Sequence, residues 1–232
     1  MKTLIYVPVI HTSADLGSIA KAVAKRGMAG LGEEFWKEHE RTVDGFWDAI
    51  MKYFDSIEVS GFKLYQDGMI ADGEIGRKIV EEGAKKGSKN HEIVLRLLER
   101  GASLVKTEDY SLVKKEYDYI KRLTQAKSIP GKIIAYLRYR LIRNKLLRQR
   151  DEFIVRQINE FLERGETGIL FIGVAHRIIP LLPQWIQLKQ VKEVEKTREY
   201  QEIFQQMFIS RKEARKRFEE LARYLVSPVN QM

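Results

Sequence analysis

Residues 168–177, GILFIGVAHR, constrain the fold of this chain more than any other stretch. The apolar run Ile169 to Ile172 follows a Gly-terminated helical pattern and reads as a short strand buried on both faces, the mark of a parallel sheet. Gly173 lets the backbone turn, and small Val174 and Ala175 leave room to present His176 at the strand's carboxyl end. In an open α/β sheet that end is where ligands bind. The start of the chain repeats the arrangement, because LIYVPVI, residues 4–10, runs straight into His11. Two of the four histidines therefore follow predicted strands, and one sheet rim is expected to carry both.

A chain of 232 residues suits a single α/β domain with a mainly parallel sheet flanked by helices, expected over residues 1–226 with a frayed tail at 227–232. No apolar run approaches the ~20 residues that cross a bilayer, so no transmembrane segment is expected. The N-terminus enters its strand without a signal peptide's apolar region and cleavage site, so a cytoplasmic location is expected. The absence of cysteine removes disulfides, thiolate nucleophiles and cysteine metal sites, which leaves His, Asp and Glu as the available ligands. The formal net charge of +9 admits an anionic partner.

After His11, Ser13 or Asp15 can cap and Gly17 can turn into a short helix. Residues 33–55 place Phe35, Trp36, Val43, Phe46, Trp47, Ile50, Met51 and Phe54 at helical spacing and predict a long amphipathic helix in which His39 falls among charges and is solvated. A second strand, interrupted by Gly61, is expected over 56–66 and ends in Gln66-Asp67-Gly68. Helices follow over 74–86 and from His91, the latter capped by the GSKN segment and giving His91 a structural role. A third strand at 102–106 runs into Thr107-Glu108-Asp109, where Asp109 suits either the rim or the cap of the helix that begins at Tyr110. Residues 132–150 carry seven Lys or Arg and no acid, and predict a basic helix with Ile134, Leu137 and Leu141 facing inward. Residues 151–164 continue helically, an edge strand is expected over 185–194, and 197–225 read as helix.

Bringing the strand ends together gathers His11, Gln66 or Asp67, Glu108 with Asp109, and His176, with Arg150-Asp151 opening the helix before the last core strand. Two kinds of chemistry suit this set. His11, His176, Asp67 and Glu108 could hold a divalent metal that lowers the pKa of a bound water. Alternatively, a histidine acts as general base on water with a carboxylate orienting it, while Arg150 and Arg177 hold an anionic substrate or developing negative charge. No GxSxG, P-loop, HExxH or GxGxxG occurs, which argues against serine hydrolases, nucleoside-triphosphate enzymes and Rossmann dehydrogenases.

The motif order resembles the TraB/Tiki proteins and their relatives, the erythromycin esterases and the ChaN haem-binding proteins. The residues that carry the resemblance are PVIH (8–11), RDEFIVRQINEFLERG (150–165) and GVAH (173–176). The first motif has Pro8 where the family pattern has glycine, and the acid at the second strand's end is Gln66 or Asp67 depending on alignment. The resemblance implies a hydrolase acting on a small-molecule or peptide substrate, with catalytic His11, His176, Glu108, Arg150 and Asp151 and a divalent metal in some branches. It equally admits a non-enzymatic ligand-binding or regulatory protein of the same fold. Independently, Tyr136 and Tyr139 interleaved among arginines in the basic helix suit a nucleic acid such as RNA, or an anionic membrane surface.

Overall fold

A computed structural model describes residues 1–12, 14–15, 20–125, 128–206 and 211–229 of the chain. Ser13 and Gly17, expected to cap and to turn before the first helix, lie outside the described residues. Asp15 instead accepts hydrogen bonds from the Thr12 amide (2.7 Å) and hydroxyl (2.8 Å), closing the loop that follows the first strand.

Among the described residues, five strands form one all-parallel sheet: β1 (Lys2–Val9), β2 (Lys63–Gln66), β3 (Ser103–Leu104), β4 (Thr167–Gly173) and β5 (Ile186–Gln190). Their order is β3-β2-β4-β1-β5, so β1 and β4 are central, as their near-continuous apolar runs require. In register, Val9 lies opposite Gly173 and Gln66 opposite Phe171, so the carboxyl ends of β1, β2 and β4 open on the same edge. The helices are α1 (Ala20–Leu31), α2 (Glu33–Asp55), α3 (Gly73–Lys85), α4 (Lys89–Glu99), α5 (Tyr110–Gln125), α6 (Ile129–Phe161), α7 (Val194–Gln206) and α8 (Arg211–Val226).

Strand alternation divides the core in two. Ile5, Val7 and Val9 of β1 and Ile169 and Phe171 of β4 pack with Phe46, Trp47 and Ile50 of α2 and Phe218 and Leu221 of α8. Leu4, Tyr6, Leu170 and Ile172 point the other way, onto Ile154, Ile158 and Leu162 at the end of α6. The second face of the sheet thus rests on the carboxyl-terminal part of one helix. The edges are short: β3 has two residues, and β5 exposes Gln187 and leaves Lys189 half-buried.

Several expectations need correction. The second strand covers only Lys63–Gln66, because Ser56 to Phe62 form turns that end at Gly61 with φ 78°. Residues 129–161 make one continuous helix of 33 residues, about 50 Å at 1.5 Å per residue. Ile134, Leu137 and Leu141 do not face inward; they are 51%, 49% and 84% exposed, while Leu146 is fully buried and the Tyr139 hydroxyl reaches Glu116 of α5. Inward and outward stripes of this helix are both apolar, so spacing alone assigned the wrong one. His39 is not solvated: its Nδ1 lies 2.9 Å from the Tyr200 hydroxyl, and burial lowers its pKa to about 4. The tail is anchored through Val229, since Lys192 Nζ donates to the Ser227 carbonyl (2.6 Å) and Val229 packs on the core.

Candidate functional site

Asp67 leaves the end of β2 just as Gly68 turns the chain with φ 77°, and its carboxylate crosses to β4. There the Gly173 amide donates to Oδ2 at 3.1 Å. A Cβ on Gly173 would lie 3.0 Å from that same oxygen, so the glycine leaves room for close approach; the expected turn does start from it, without a positive φ. The chain then turns from Gly173 to His176, whose amide donates to the Gly173 carbonyl (3.0 Å). Arg198 of α7 braces this turn through a 2.9 Å hydrogen bond to the Val174 carbonyl.

That turn delivers His176 between two carboxylates. Its Nδ1 is 2.5 Å from Asp151 Oδ1, and its Nε2 is 3.5 Å from Asp67 Oδ2. The other oxygen of Asp151 accepts the Arg177 amide at 3.1 Å, which fixes the carboxylate in the plane it needs. Burial alone would lower the imidazole pKa, but the two carboxylates outweigh it and push it up to about 10. His176 is therefore an imidazolium at neutral pH in this arrangement, with only 3% of its surface exposed.

Arg150, one residue before Asp151 on α6, forms the second half of the cluster. Its Nη2 donates to Asp67 Oδ1 (2.6 Å) and Glu108 Oε1 (2.5 Å), its Nη1 to Glu116 Oε2 (2.5 Å), and its Nε also to Glu108. Burial opposes ionisation of Asp67, yet His176 and Arg150 together hold its pKa far below the ordinary carboxylate range. Glu108 is completely buried, and there desolvation wins over Arg150 and raises its pKa. The expected role of Arg150 in gripping an anionic substrate is not open to it here, because its guanidinium is already bonded to three carboxylates.

The structure thus brings Asp67, Glu108, Arg150, Asp151 and His176 into one cluster at the carboxyl edge of the sheet. His11 is exposed, and its charge acts on Asp67 from the rim. The Arg177 side chain is also exposed, and only its backbone joins the site. Asp109 caps α5, accepting from the Leu112 amide (3.1 Å). Glu116 and Arg198 were missed, since each is one charge among many on a polar helix. Beside the cluster, buried Gln66 places its Nε2 3.1 Å from His91 Nε2, and His91 Nδ1 meets Ser88, the cap of α4 (2.8 Å).

Asp67, Glu108 and His176 each offer a ligand atom within 4.8 Å of the others. The donor set fits a divalent cation, because the bond from Nδ1 to Asp151 leaves Nε2 facing Asp67, the usual outer-shell arrangement of a metal-ligating histidine. The four carboxylates also exceed the two resident cations. No family model matches the chain, and no curated protein or solved structure matches it at a significant level.

Proposed function

We propose that the protein is a hydrolase in which the Asp67–His176–Asp151 line activates water, as the resemblance to the TraB/Tiki and erythromycin-esterase group implies. The observation that carries this reading is the clamp on one imidazole: Nδ1 is fixed by Asp151, and Nε2 faces Asp67. Asp67 is the most open member, its side chain 20% exposed against 3% for His176 and none for Glu108. An incoming group meets Asp67 first. A positively charged group bound at that carboxylate would offset the largest charge holding the proton on His176, so the imidazole pKa would fall towards its ordinary value, the Nε2 proton would pass to solvent and Nε2 would be a competent base. Arg150 supplies fixed positive charge beside the same atoms. If a divalent cation is used, Asp67, Glu108 and His176 would hold it, and it would supply a water of lowered pKa. Displacement of the Nε2 proton by a cation predicts proton release on binding.

The test is a panel of ester and peptide substrates with chelated and with zinc- or manganese-loaded protein, alongside Asp67→Asn and His176→Gln. Hydrolysis abolished by both substitutions is expected. Absence of turnover on the whole panel, with no calorimetric zinc or manganese binding, would overturn the reading. Metal binding with proton release but no turnover would assign a binding protein instead.

A further inference from the structure

The outer part of α6 presents a surface that the cluster does not use. Leu146 and Tyr139 fix the helix's rotation by facing inward, the first fully buried and the second bonded to Glu116. At 100° per residue, Ile133, Ile134, Leu137 and Leu141 then fall on one outward stripe. They are 54%, 51%, 49% and 84% exposed. Arg138 and Lys145 flank the stripe on one side and Arg140 on the other, all exposed and, among the described residues, without an ion-pair partner. No acid occurs between residues 132 and 150.

We infer that this stripe docks on an anionic phospholipid surface, with the four aliphatic side chains entering the acyl boundary and the flanking cations meeting headgroup phosphates. Four aliphatic side chains between cations is the composition of an interfacial helix. A second copy fits poorly, because apposed stripes would bring Arg138, Arg140 and Lys145 against their own counterparts with no acid in the segment to answer them. Single-stranded RNA fits poorly too, since it needs several stacking platforms, whereas Tyr139 turns inward to Glu116, Tyr136, 50% exposed, lies outside the stripe, and the stripe itself offers aliphatic ridges.

The test is co-sedimentation of the whole protein with phosphatidylcholine vesicles, plain or containing one-third phosphatidylglycerol. Three variants are compared: wild type, Arg138→Gln/Arg140→Gln/Lys145→Gln, and Leu137→Gln/Leu141→Gln. Circular dichroism should show all three equally folded, because the altered side chains are exposed. Binding to the anionic vesicles alone is expected. Each juxtamembrane cation contributes about fivefold, so the triple variant should lose on the order of a hundredfold in partitioning. The leucine variant should lose about tenfold or more. Failure of the wild type to bind anionic vesicles overturns the inference, as does binding that neither variant weakens. RNA binding without vesicle binding, or an oligomer dispersed by the leucine substitutions without vesicle binding, overturns it in favour of that other occupant.

Discussion

Replacing His176 by alanine should destabilise the protein strongly, although a residue at a strand-end rim would be expected from sequence to bury little and matter little to folding. His176 is 3% exposed and lies between Asp151 and Asp67, so its removal takes the cation from the buried Asp151 carboxylate and leaves Asp67 to Arg150. Breaking a buried pair by deleting one partner costs about 3–5 kcal/mol. For a domain of this size that is a fall in melting temperature of roughly 10 °C. The informative experiment is a double-mutant cycle of His176→Ala and Asp151→Asn followed by thermal denaturation. Their coupling should be about 3 kcal/mol near pH 6. The sign with pH follows from the raised pKa: the stabilisation is complete below the unfolded value near 6.5 and is lost as pH climbs through about 10. A coupling below about 0.5 kcal/mol at pH 6, or one unchanged at pH 10.5, would refute the ion-pair account.

Gly173→Ala would place a Cβ 3.0 Å from Asp67 Oδ2 and should push that carboxylate off its 3.1 Å bond from the residue 173 amide, costing about 1–2 kcal/mol and lowering the His176 pKa, which an NMR titration of the imidazole would read. An unmoved titration would mean that Asp67 does not hold the proton on His176. Lys192→Met should loosen the end of α8, because Lys192 Nζ bonds the Tyr224 carbonyl (3.0 Å) and the Ser227 carbonyl (2.6 Å). Limited proteolysis should cut the tail faster in the variant, and equal rates would count against this anchoring role.

Much of the architecture is legible from the chain because β1 and β4 are buried on both faces and their runs, LIYVPVI and ILFI, admit few other readings. The residues after those strands were legible for the same reason, since a parallel sheet gathers its carboxyl ends. What escaped has a common physical cause. Glu116 and Arg198 enter the site from helices whose charges look interchangeable until tertiary packing selects one. The orientation of α6 escaped because two of its faces carry aliphatic residues. His39 was misjudged from its charged neighbours, whereas its ring turns inward to Tyr200.

The short edges of the sheet carry a consequence for how this molecule can meet others. An added strand needs a run of unpaired backbone amides and carbonyls, and β3 presents two residues while β5 carries Gln187 and Lys189 along its rim. Edge-to-edge polymerisation and capture of an extended peptide by strand addition are therefore both disfavoured. A partner would have to be met by side chains, on the proposed readings those at the carboxyl edge around Asp67 and along the outward face of α6.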